Sequence, residues 1–150
     1  VTDADLLILE EGPNMVVNQS LRKLQAMDEW NQTHHENSGL IRLVKDSSLT
    51  ERMAESATLE FLRRLVPKGQ SPMCGNTVCQ DRQFLRLQMP ELHDYFHYRN
   101  IDVSTLKELH KRWMPKNNQF VKLGNHRASD DIKESIAELD FYRQNFLICD

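Results

Sequence analysis

The run His126-Arg127-Ala128-Ser129-Asp130-Asp131 sets an imidazole five residues ahead of a carboxylate, at the mouth of an amphipathic stretch. A second acid, Asp81, stands upstream in Gly75-Asn76-Thr77-Val78-Cys79-Gln80-Asp81-Arg82-Gln83-Phe84-Leu85. A base beside a pair of hard oxygen donors is what metal-assisted phosphodiester hydrolysis requires. Two carboxylates are fewer than a two-cation site uses, so only part of such a cage is written here. A rival metal set is Cys74 and Cys79 with His34 and His35. The cysteine spacing lies at the wide limit of the zinc pattern, so spacing alone leaves that reading open.

At 150 residues, 39% hydrophobic and 27% charged, the chain is sized for one domain with a real core. No apolar run reaches the length of a membrane span, and no basic-then-apolar leader opens the sequence. Three cysteines (Cys74, Cys79 and Cys149) at uneven spacing argue against a disulfide framework and for a reducing compartment such as the cytoplasm. The net charge of −3, from 19 Lys+Arg against 22 Asp+Glu, disfavours a protein that coats long nucleic acid. A pocket for a very short oligonucleotide remains open.

These residues need elements to hold them. Leu6 to Leu9 and Met15 to Val17, parted by Gly12-Pro13, predict a strand pair. Ser20 leads a helix with Leu21, Leu24 and Met27 on one side, and Asn31 to Ser38 reads as a polar loop. Ser48-Leu49-Thr50-Glu51 has capping-box spacing. The helix it opens carries Met53, Ala57, Phe61 and Leu65 and ends at Pro67 and Gly69. After the short apolar piece Pro72 to Gly75, a helix through Asp81 and Phe84 stops at Pro90. Arg99 to Val103 predicts a brief strand. Ser104 and Thr105 are expected to cap a helix with Leu106, Leu109 and Trp113 inward. The last helix is expected to bury Ile132, Ile136 and Leu139. Strands alternating with helices give an α/β class with a mixed sheet.

The segments Cys74 to Leu85, His97-Tyr98-Arg99-Asn100-Ile101-Asp102-Val103-Ser104-Thr105-Leu106-Lys107-Glu108-Leu109 and His126 to Ser135 closely resemble oligoribonuclease. That is a DEDDh-type 3′→5′ exoribonuclease family with an RNase H-like fold, acting on very short RNAs. The resemblance continues through Val1 to Leu6, Glu11-Gly12-Pro13, Met27-Asp28-Glu29-Trp30-Asn31 and Ser38-Gly39-Leu40, covering essentially the whole chain. It implies one exonuclease domain over residues 1–150, an RNase H-like mixed sheet flanked by helices. The family's first strand, with its Asp-x-Glu pair, is missing from this chain. Glu10 and Glu11 are out of register to replace that pair.

By the resemblance, Asp81 and Asp131 are the third and fourth acids of a metal cage that takes two Mg2+ or Mn2+ when complete. His126 is the general base, an imidazole whose ordinary pKa of about 6.5 suits proton transfer near neutral pH. Trp30 lies against a base, and His35 and Thr77 approach the phosphate. Tyr98, Arg99, Ser104 and Thr105 close the pocket from the neighbouring protomer of a homodimer. Thr77 stands where the family has serine, keeping the hydroxyl and adding a methyl, so binding is expected to survive. The implied activity is 3′→5′ hydrolysis of short oligoribonucleotides, especially diribonucleotides, to mononucleotides, with no membrane or long-DNA partner. Without Asp-x-Glu, the 150-residue polypeptide alone is expected to be inactive or nearly so.

The alternative is a non-catalytic short-RNA-binding or dimerisation module of the same fold. A DNA-trimming exonuclease fits the acids but not the Tyr98 to Thr105 segment. Taken singly, Asp81 and Asp131 also read as acids favoured by a helix dipole, and His126 as a polar loop histidine. Trp30 also reads as core or edge packing.

Overall fold

A computed structural model describes residues 1–121 and 128–147. Helix α1 (Leu21–Gln25) opens at Ser20, whose hydroxyl accepts from the Lys23 N–H, as expected. Helix α2 (Glu29–Asn37) replaces the loop expected over Asn31 to Ser38. Its cap is Asp28, which accepts from the Asn31 N–H at 2.8 Å, and the Gln32 amide bonds back to the Met27 carbonyl at 2.7 Å. Those polar bonds sustain a helix that lacks an apolar stripe to announce it. Gly39, at φ 76, supplies the left-handed turn into α3 (Leu40–Asp46).

Helix α4 (Glu51–Leu65) is capped by Thr50, which accepts from the Met53 N–H at 3.3 Å. The Ser48–Glu51 capping box does not form; Glu51 instead accepts from the Gln19 amide at 2.7 Å. The buried face is Ala54, Glu55, Leu59, Phe61 and Leu62, while Met53 is exposed. Steps of four overrun the 3.6-residue turn, so the row from Met53 to Leu65 drifts off the packed face. This face meets α6 (Pro90–His93), with Met89, Leu92 and Tyr95 completing the core. Buried Glu55 accepts from the Leu92 N–H at 3.0 Å, satisfying a free donor at the start of α6.

Strands β1 (Met73–Gly75) and β2 (Asn100–Asp102) pair in parallel, with Met73 opposite Asn100 and Gly75 opposite Asp102. A parallel pair needs a long crossover, supplied by α5 (Val78–Gln88) and α6. Pro90 ends the first and starts the second. Strand β2 runs directly into α7 (Val103–Trp113), and α8 (Ala128–Asn145) packs against α7 and β1. The α/β class holds.

The predicted N-terminal strand pair does not. Only an antiparallel bridge joins Thr2 and Ile8, among the described residues. The Asp3 carboxylate accepts from the N–H groups of Asp5 and Leu7, and Leu6, at φ 68, turns the chain. The inward sets of α7 and α8 also differ from expectation. Trp113 and Ile132 are 66% and 62% exposed, and Leu106, Leu109, Ile136 and Leu139 are half-buried. Among the described residues of α7 and α8 the fully buried side chains are Val103, His110, Glu138 and Tyr142, with His110 ringed by Phe141, Tyr142 and Phe146. No described helix is long and apolar enough to cross a membrane.

Candidate active site

Two helices start at one carboxylate. Thr77, at φ 57 and ψ 41, makes a left-handed step into α5 and offers no side-chain cap. Asp102 does that work from the end of β2. Its Oδ1 accepts from the Thr77 N–H at 3.0 Å and its Oδ2 from the Val78 N–H at 3.1 Å. The same carboxylate is the N-cap of α7, accepting from the Ser104 N–H at 3.0 Å and from the Ser104 hydroxyl. Ser104 and Thr105 therefore lie within the first turn of α7 and are not its caps. The Ser104 hydroxyl also accepts from the Thr77 N–H at 3.3 Å, which joins two of the substrate candidates directly.

Burial pushes the Asp102 carboxyl up, but hydrogen bonds from Ser104, Thr77 and Val78 outweigh it and hold the group below its ordinary value. A depressed folded pKa contributes stability that is complete above the unfolded value, about 4, and lost as pH falls through the folded one. Asp102→Asn should thus melt below the parent at pH 7, with the gap narrowing steadily under pH 4. Thermal denaturation across that range checks it, and a constant gap would deny Asp102 this role.

Asn76 makes the second junction. Its amide donates to the Ser135 hydroxyl at 2.9 Å and to Glu138 Oε2 at 3.1 Å. Ser135 in turn donates to the Asp131 carbonyl at 2.8 Å. The approach to α5 is thereby fastened to the second and third turns of α8. Asp81 stands in the first turn of α5 and Asp131 in the first turn of α8, both exposed. His126 lies outside the described residues. Glu10 pairs with Arg64 at 2.7 Å and Glu11 with Lys133 at 2.9 Å, so each has a cation of its own.

The remaining substrate candidates form two local groups. Trp30 is 67% exposed on α2, which removes core packing as its role, and stacks on His34 at 4.9 Å; His34 meets His35 edge-on. Tyr98 stacks on His97 at 4.3 Å, with the Arg99 guanidinium 5.5 Å from the Tyr98 ring centre. Thr105 is exposed on α7.

An exonuclease family model, of the RNase T type, matches residues 1–139. Oligoribonucleases of Alcanivorax borkumensis and Escherichia coli are each 56% identical over 148 residues, 98% of this chain and 82% of theirs. That of Hydrogenovibrio crunogenus is 54% identical over 149 residues, 99% of this chain and 81% of its own. The chain belongs to the oligoribonuclease family.

As an oligoribonuclease relative it carries carboxylate oxygens suited to a hard divalent cation. The donor number is short: among the described residues no three His, Cys, Asp or Glu side chains are placed to hold a metal ion together. The same observation disposes of the Cys74, Cys79, His34 and His35 set as a zinc site. Sequence reasoning passed over Asp102 and Asn76 as organisers of the site. Asp102 had a detectable signal, an acid just ahead of a helix, which is N-cap chemistry. Asn76 had none, because its partners are remote in the chain.

Proposed function

We propose that the protein is a 3′→5′ exoribonuclease that degrades very short oligoribonucleotides, above all diribonucleotides, to mononucleotides in the cytoplasm. Asp81 and Asp131 would hold Mg2+ or Mn2+, with further donors completing the cage. When bound, such cations neutralise charge on the oxygens exchanged at phosphorus. His126 takes the proton from the attacking water. Trp30 offers an aromatic face on which any base can stack. His35 and Thr77 bind the phosphate end, while Tyr98, Arg99, Ser104 and Thr105 close the pocket across a homodimer interface. Arg99 provides the planar fork that matches a terminal phosphate.

The strongest support is that Asp102 starts both α5 and α7 while Asn76 ties the approach to α5 to Ser135 and Glu138 within α8, with Asp81 and Asp131 in the first turns. Helices tied together in this way hold exposed acids in fixed relation, as preorganised catalysis demands.

Hydrolysis of a labelled diribonucleotide with magnesium, by the chain joined to a first strand that carries Asp-x-Glu (termed the full-length protein), tests the reading. We expect kcat/KM for the dinucleotide to exceed that for a long single strand by about tenfold or more. Equal use of both lengths, or binding without turnover, would favour the RNA-binding module. The polypeptide 1–150 alone should turn over at least about a hundredfold more slowly than a protein with an Asp-x-Glu pair.

A further inference from the structure

Arg82 follows Asp81 on α5, yet its guanidinium serves another part of the site. Nε donates to Asn100 Oδ1 at 2.9 Å and Nη1 to the His93 carbonyl at 3.4 Å. Nη2 donates to the carbonyls of both His97 and Arg99, the latter at 3.3 Å. The guanidinium carbon also lies 5.7 Å from the centre of the Phe96 ring. Every acceptor falls between the start of α6 and β2, and two are the carbonyls on either side of Tyr98.

The N–H side of this segment has its own supports, from His97 to the Ser71 carbonyl and from Arg99 to His97 Nδ1. The carbonyl side rests on Arg82. A planar fork with fixed donor directions is suited to several carbonyls at once, which a lysine ammonium cannot reproduce. Tyr98 is mostly exposed, its ring held between His97 and Arg99, so its direction follows from the backbone beneath it.

We infer that Arg82 is the positioning residue of the Tyr98–Arg99 cap, setting affinity for short substrates without touching the reacting phosphate. This rests on the cap role given to Tyr98 and Arg99 above. Arg82 fastens the cap to α5, a rigid element of its own protomer, from which the cap is presented to the pocket across the interface.

The test is steady-state diribonucleotide hydrolysis by the full-length protein and three variants, Arg82→Lys, Arg99→Ala and the double variant. Arg82→Lys should raise KM about tenfold with kcat within about twofold, the signature of lost ground-state and transition-state binding alike. The double variant should be no worse than Arg99→Ala, since both changes act through one segment. A raised KM in Arg99→Ala with Arg82→Lys unchanged overturns the inference and leaves the cap standing. Unchanged KM in both removes the cap and the inference together. Multiplied effects in the double variant, or a fall in kcat at constant KM, also overturn it. If Arg82→Lys does not fold, Asn100→Ala removes one acceptor and leaves the guanidinium in place. It should raise KM about threefold, and no change would defeat the proposal.

Discussion

Asparagine in place of Asp131 should lower diribonucleotide turnover by the full-length protein about a thousandfold, which is about 4 kcal/mol of transition-state stabilisation. The substitution preserves shape and keeps the backbone carbonyl that accepts from Ser135. Its cost to folding is confined to a lost interaction with the helix dipole, about 0.3–1 kcal/mol. Activity should therefore collapse while the melting temperature barely moves. Asp81→Asn should do the same from the first turn of α5. Asp130→Asn is the control, because it removes a charge from the same turn of α8 while sparing the proposed ligand. Manganese titration followed by paramagnetic resonance should show weaker binding for the Asp81 and Asp131 variants and parental binding for Asp130→Asn. If Asp130→Asn lost as much activity as Asp131→Asn, general charge at the helix start would explain both, and the ligand assignment would fall.

What could be read directly from the residues was whatever depends on near neighbours. Ser20 as a cap, Pro67 and Pro90 as stops, and the brief strand before Val103 all rest on local backbone chemistry, and all are found. Helix α2 (Glu29–Asn37) escaped because its cap and amide bonds leave no apolar period. The N-terminal strands failed because Asp3 draws neighbouring N–H groups into a turn that β-rich composition does not reveal. At the proposed site, Asp81 and Asp131 could be picked out by the family resemblance, though each alone also reads as an acid favoured by a helix dipole. The parts that hold their helices could not, since Asp102 reaches 24 and 25 residues back and Asn76 reaches 59 and 62 forward. His110 and Glu138 were hidden for another reason: polar residues are not sought on a buried face. Among the described residues neither ring nitrogen of His110 finds a partner, which no residue pattern would suggest.

Glu138→Leu should destabilise the protein by about 2–3 kcal/mol, from the buried donors it leaves without an acceptor. Glu138 is fully buried on α8. It accepts from the Asn76 amide at 3.1 Å and the Tyr142 hydroxyl at 3.4 Å, and lies 3.7 Å from the Lys107 ammonium. Burial first, then the Glu138 charge and hydrogen bond, push the Tyr142 hydroxyl up to about 12, so it stays protonated and donates at any ordinary pH. Leucine would fill most of the space but leave the buried Tyr142 hydroxyl without this acceptor and Lys107 without its counterion. Glu138→Gln keeps shape and an acceptor, so its loss should be smaller, about 1–2 kcal/mol. Urea denaturation of the three proteins separates these cases. Activity adds a second reading. Leucine leaves Asn76 holding α8 through Ser135 alone, and glutamine offers one carbonyl oxygen to the two donors Asn76 and Tyr142. Either change loosens the strut beneath Asp131. Under conditions where Glu138→Gln is fully folded, a modest fall in kcat is expected, smaller than that from Asp131→Asn. A leucine variant as stable as the parent would mean that this network contributes nothing net to folding. The joint between α5 and α8 would then have to rest on apolar packing instead.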